Sequence, residues 1–208
     1  MEDLAPLRFA CGVAVRALPG ETSCGDVHVL KRVSRGWLLA AMDGLGHGAD
    51  AAHGARMAAA ILEAHSEEPP LALILRCHEA LRSTRGVVMS LAALDAARRS
   101  MTWLGIGNVQ GILLRDSGGA EESLLLRSGV VGGQALPSLI PDVVPFKPGD
   151  ALVFATDGVE GEFDRQLARN LSAQMAAEAI LSRYGKATDD ALVLVMRSLP
   201  GGATSPDR

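Results

Sequence analysis

Three short apolar runs in this chain each carry aspartate at one end: LLAAMDG (38–44), LVFATDG (152–158) and DDALVLV (189–195). Runs of this length, bounded by turn residues, read as strands buried on both faces. If they are neighbours in one layer, their tips bring Asp43, Asp157, Asp189 and Asp190 together. Packed carboxylates repel one another and hold their protons to higher pH. Divalent cations relieve that repulsion, and an all-oxygen donor set selects hard ions such as Mg²⁺ or Mn²⁺. Taken singly, an Asp-Gly after a strand is usually a turn, and Asp189-Asp190 could be a solvated strand entrance.

The remaining pattern sets the layers. Residues 10–16, 26–33, 87–95 and 100–115 read as strands, with 116–123 as a hairpin-like turn before LLLR returns. Residues 50–67, with Asp50 as N-cap, 69–84 and 172–185 read as helices. The stretch 128–150 is rich in Gly and Pro and reads as loop. Strands outnumber helices, and the helices come in clumps, which favours a layered α+β fold over a doubly wound parallel sheet. We expect one domain over 1–198, followed by a disordered tail at 199–208.

Composition excludes several function classes. Net charge is −4 and no block of Lys and Arg occurs, so a nucleic-acid footprint is not expected. Aromatics make up 3% of the chain, too few for base-stacking platforms, and leave the core to Ala, Leu, Val and Ile. No apolar run spans a membrane and no secretory signal opens the chain. Cys11, Cys24 and Cys77 are widely spaced and read as small buried hydrophobes in a reducing compartment, so a cytoplasmic location is expected.

The loop MDGLGHGAD (42–50) admits a competing reading. Gly44, Gly46 and Ala49 satisfy the loose dinucleotide pattern G-x-G-x-x-A. The acidic residue that pattern needs about 20 positions on, at the end of the next strand, is missing. Glu63, Glu67 and Glu68 close a helix instead, and Asp43 beside the first glycine would repel a pyrophosphate. On the metal reading, Gly44 and Gly158 allow positive φ and a sharp fold, so that the Gly44 carbonyl turns toward an ion. Two ions sharing a water lower its pKa from about 16 toward neutrality, and the hydroxide attacks phosphorus in line. His28, His53, His65 and His78 lack metal-ligand spacing, and Trp37 and Trp103 read as core. His47 stands apart because it lies beside Asp43, and Gly107-Asn108 reads as a bulge or turn.

SCGD (23–26), MDGLGHG (42–48), GIGNV (105–109), KPGDALVFATDGV (147–159) and TDDALVLV (188–195) occur in the order seen in the metal-dependent protein phosphatases, the PPM family. The chain resembles that family from about residue 10 to residue 197, and within it the SpoIIE-type bacterial branch and its stressosome phosphatases. The resemblance implies a central β-sandwich flanked by α-helices, four layers in the order αββα, with two Mn²⁺ or Mg²⁺ ions at one edge. It implies that Asp43 bridges the ions, that the Gly44 carbonyl and the carboxylates of Asp157 and Asp189 complete their ligands, and that Asp26 holds water from behind them. Asp190 stands where many relatives carry asparagine and is read as supporting. The implied activity is hydrolysis of phosphoserine or phosphothreonine by a metal-bound hydroxide. The implied partners are phosphorylated STAS-domain components of a stressosome, or anti-sigma antagonists of a partner-switching module.

Two departures from the better-known eukaryotic members bear on substrate handling. Their phosphate-gripping arginine has no counterpart in LPGETSC (18–24), the nearest arginine being Arg16. Their histidine two residues after the bridging aspartate is replaced by Leu45, leaving His47 as candidate proton donor or substrate contact. An inactive phosphatase-fold binding module is the remaining alternative, against which the intact Asp43, Asp157 and Asp189 argue.

Overall fold

The structure, a computed structural model, describes residues 7–117 and 121–199. Its strands form two sheets. The first runs β1 (Arg8–Arg16), β11 (Ala191–Leu199), β10 (Ala151–Ala155), β6 (Gln110–Leu114) and β7 (Glu122–Ser123). The second runs β2 (Asp26–Val33), β3 (Gly36–Gly44), β4 (Val87–Asp95), β5 (Ser100–Ile106) and β8 (Leu126–Arg127). A further strand, β9 (Asp142–Pro145), also pairs with β5. Helices α1 (Gly48–Ala64) and α2 (Pro70–Ala80) cover one outer face, and α3 (Arg165–Asn170) and α4 (Ala173–Tyr184) cover the other.

The period-2 alternation of strand side chains explains why the central runs are apolar throughout. In β3, Leu39 and Ala41 face the other sheet and cluster with Phe154, Leu192 and Leu194 from it and with Trp103 of β5. Leu38, Ala40 and Met42 face the opposite way, onto Ala55, Ala58 and Leu62 of α1. In β11, Leu192, Leu194 and Met196 point between the sheets while Val193 and Val195 pack under Ala176 and Ile180 of α4. The four-layer αββα sandwich expected from the sequence is therefore present.

Several local expectations are corrected. Residues 100–115 are two strands in different sheets. Gly107, at φ +97°, makes the turn, and its N–H bonds the Arg127 carbonyl. The first long helix starts at Gly48, with His47 rather than Asp50 at its N-cap and no side-chain capping bond. Asp50 sits in the first turn, paired with Arg85 at 3.2 Å. Helix α3 was not expected; Asp164 caps it by accepting from Gln166 N–H at 2.9 Å. Cys77 is buried, but Cys24 is half-buried and Cys11 is exposed, and all three are free thiols. Trp103 is fully buried, whereas Trp37 is partly exposed. The expected tail lies, past Leu199, outside the described residues. Among the described residues no helix is long and apolar enough to cross a membrane.

The loop-rich segment is less uniform than its composition suggests. Val131 is buried and exchanges backbone bonds with Val87, and Gly132 N–H donates to His78 Nδ1 at 3.0 Å. Farther on, Ile140 and Val143 are 64% and 68% exposed. The free edge of β1 is closed by a side chain. Gln174 accepts from Val13 N–H and donates to the Val13 carbonyl, both at 3.0 Å, as a neighbouring strand would.

Candidate metal centre

The sheet registers carry the aspartates to one edge of the sandwich. In the second sheet Asp26 opens β2 and stands directly opposite Asp43 near the end of β3. In the first, Asp157 follows β10 and Asp189-Asp190 precede β11, and these strands are antiparallel neighbours with Ala155 opposite Val193. The sheets are tied there by Thr156, whose hydroxyl donates to Asp26 Oδ2 at 2.6 Å and accepts from Leu192 N–H at 2.8 Å.

Space, not backbone sign, accounts for the two Asp-Gly glycines. Gly44 and Gly158 are absent from the positive-φ positions, contrary to expectation, which fall instead at Gly46 and Gly48 in the same loop. A Cβ on Gly44 would lie 2.0 Å from the Ala51 carbonyl oxygen, so this glycine lets α1 sit against the strand end. A Cβ on Gly158 would lie 1.8 Å from the Asp190 carbonyl oxygen, which brings the turn after β10 against the start of β11.

The carboxylates act on one another. Asp43 is pushed up to about 7, first by burial and then by the charges of Asp157, Asp189 and Asp190. Asp26 is pushed up to about 8 by burial, against the Thr156 bond, with Asp43, Asp190 and Asp157 adding to the rise. Asp189 is raised by burial and by Asp157. Asp190 is spent on structure: its two oxygens accept from Leu18 N–H and Gly25 N–H, both at 2.7 Å, which holds the β1–β2 connection on the site.

Among the described residues, no three His, Cys, Asp or Glu side chains already form a ligand nest for a metal ion. Two of the carboxylates are turned onto protein donors. Asp157 Oδ2 accepts from Asn108 Nδ2 at 2.7 Å, and Asp189 Oδ1 accepts from Asp190 N–H at 2.9 Å. The donor chemistry nevertheless fits a hard divalent cation: oxygens only, mutually repelling and relieved by positive charge, with Asp26 buried, Asp43 and Asp189 half-buried and Asp157 open to solvent.

The other sequence candidates lie around this cluster. His47 is exposed at the rim, with Nδ1 3.0 Å from Glu21 Oε1. Gly44 N–H bonds the Gly25 carbonyl at 3.2 Å. Sequence reasoning passed over Thr156, although a hydroxyl closing an apolar strand just before Asp157 was a readable signal. It also passed over Lys186, whose ammonium donates to the Asp157 carbonyl at 2.6 Å. Nothing local marks that contact, which spans 29 residues.

Comparison with known proteins identifies the family and the fold. The family described as Stage II sporulation protein E (SpoIIE) matches residues 34–204. Phosphoserine phosphatase RsbX of Bacillus subtilis (strain 168) is 27% identical over 140 residues, covering 67% of this chain and 69% of RsbX. A chain solved in work on the bacterial stressosome as a modular system adapted to control secondary messenger signaling is 31% identical. It superposes with a TM-score of 0.86 over 91% of this chain and all of that one (100%). The crystal structure of RsbX in complex with magnesium superposes with a TM-score of 0.82 at 22% identity, over 95% of this chain and 98% of that one. The PP2C phosphatase domain of SpoIIE from Bacillus subtilis gives 0.76 at 20% identity, over 95% of this chain and 65% of that one.

Proposed function

The chain belongs to the SpoIIE family, whose fold is that of the PP2C phosphatases, and from that premise we propose how this protein serine/threonine phosphatase works and on what. Its substrates are phosphorylated STAS-domain proteins of a stressosome or of a partner-switching module, anti-sigma antagonists included. Support for that choice comes from the relatives: RsbX is a phosphoserine phosphatase, and the 31%-identical chain comes from stressosome work. A cytoplasmic location goes with the reading, where Cys11, Cys24 and Cys77 would stay reduced.

The observation that carries the mechanism is the meeting of Asp26, Asp43, Asp157 and Asp189 at one edge, where burial and mutual repulsion raise Asp26 and Asp43. Asp43, the Gly44 carbonyl, Asp157 and Asp189 would hold two Mg²⁺ or Mn²⁺ ions. When bound, such ions acidify water to a pKa near about 7 and offset the charge of a phosphoryl group. Asp26 gives one oxygen to Thr156 and keeps the other as an acceptor that orients water. Asp26 and Asp43, raised by burial, would give up their protons to serve there. His47, turned through Nδ1 to Glu21, offers Nε2 to the leaving serine or threonine oxygen.

Docking of the phosphoprotein is assigned to the outer half of segment 128–148, where Ile140 and Val143 are exposed. The inner half, from Val131 to Gly132, is bound into the fold and is unsuited to a recognition role.

The test is release of inorganic phosphate from a STAS-domain phosphoprotein by the full chain with Mn²⁺ or Mg²⁺. Chelation by EDTA should abolish release and added Mn²⁺ should restore it. Stable binding of the phosphoprotein without release would favour the inactive binding module instead.

A further inference from the structure

A phosphate dianion approaching five aspartates needs positive charge beyond the ions those aspartates hold, and the family's gripping arginine is missing here. Basic side chains near the cluster are accounted for in turn. Arg16 is engaged on the backbone, donating from Nη2 to the Lys186 carbonyl at 2.6 Å. Arg85 leans on Gly46 and pairs with Asp50. Lys186 remains. Its ammonium lies on the Asp157 carbonyl at 2.6 Å, and its charge acts on the Asp189 carboxylate.

Its mounting is firm where the rest of the side chain is exposed. Lys186 N–H bonds the Gly158 carbonyl at 2.7 Å, and Arg16 grips the Lys186 carbonyl, so the backbone is tied to the turn that carries Asp157. An ammonium has three donors. One is used on Asp157, and among the described residues the other two have no protein partner. A lysine so held is a point charge suited to phosphate.

We propose that Lys186 binds the substrate's phosphoryl oxygens beside Asp157, taking the place of the missing arginine, with Arg16 as the residue that positions it. The assignment rests on the phosphatase reading, but its test does not require turnover. Inorganic phosphate is titrated calorimetrically into the Mn²⁺-loaded full chain, for wild type, Lys186→Met and Lys186→Arg. Mn²⁺ affinity is measured on the same samples, and circular dichroism checks the fold.

Lys186→Met should weaken phosphate binding about tenfold or more, the loss of a charge-assisted contact. Lys186→Arg should stay within about threefold of wild type, because the charge is kept. Mn²⁺ affinity should be unchanged in both. Phosphate affinity within about twofold of wild type in folded Lys186→Met would overturn the assignment, as would parallel loss of phosphate and Mn²⁺ affinity. If Lys186→Met does not fold, Lys186→Gln carries the same expectation. A wild type that binds phosphate through Lys186 yet releases none from any phosphoprotein would refute the phosphatase reading and leave this one standing.

Discussion

Replacing Asp43 by asparagine should stabilise the metal-free protein, and the gain should grow with pH. In the fold Asp43 is held up to about 7, chiefly by burial, against an ordinary 3.8. Between those two values the folded chain keeps a proton that the unfolded chain has released. Stability therefore falls as pH rises through this window and levels off above it, by about 1.4 kcal/mol per pH unit. The whole window amounts to about 4 kcal/mol, of which less than about 2 kcal/mol has been lost at pH 5. Asparagine has nearly the same shape and no charge. In EDTA the variant should exceed wild type by about 3 kcal/mol more at pH 8 than at pH 5, or about 6–12 °C in Tm for a chain of this size. Urea unfolding of both proteins at the two pH values reads this directly. Millimolar Mn²⁺ should then reverse the order, since only wild type retains the ligand that would touch both ions. A wild type as stable as the variant at pH 8, or a gap that ignores pH, would refute the reasoning.

Asp150 is almost fully buried and accepts from Arg115 Nη1 and from the N–H groups of Asp116 and Lys147. Asp150→Ala should lower stability by about 2–4 kcal/mol in chemical denaturation, since the N–H groups of Asp116 and Lys147 lose their acceptor and Arg115 is left with Glu122 and the Pro145 carbonyl. Gln174→Ala uncovers the edge of β1 and should produce concentration-dependent association in analytical ultracentrifugation, which wild type lacks. The double substitution Ile140→Ser with Val143→Ser should reduce kcat/KM for the phosphoprotein about tenfold and leave p-nitrophenyl phosphate hydrolysis within about twofold, because remote contacts supply binding energy only to the large substrate. Equal losses on both substrates would remove the docking role.

The carboxylate tips were legible because β3, β10 and β11 are each covered on both faces. That produces unbroken apolar runs, and a charged residue ending such a run has nowhere to go but the sheet edge. A layered α+β fold followed from the same runs and from helices arriving in clumps; the four layers came from the family resemblance. Contacts set by register and by turns were not legible. Asp26 opposite Asp43 depends on β2–β3 pairing, and Thr156 on Asp26 spans 130 residues and two sheets. The turn at Gly107-Asn108 was readable, but not that it carries the chain into the other sheet, because β5 and β6 are both apolar and only residues 107–109 lie between them. The need for Gly44 and Gly158 was read as backbone freedom, whereas it is the close approach of Ala51 and of Asp190, partners that a local pattern does not reveal.

The claim on which all this depends is that Asp43, Asp157 and Asp189 are metal ligands. Crystals of the full chain grown with Mn²⁺ and measured near the manganese absorption edge would test it most directly. The account predicts anomalous peaks bounded by these three carboxylates, with Asp157 turned away from Asn108 and Asp189 away from the Asp190 N–H. Manganese peaks elsewhere, with Asp157 still on Asn108, would contradict it.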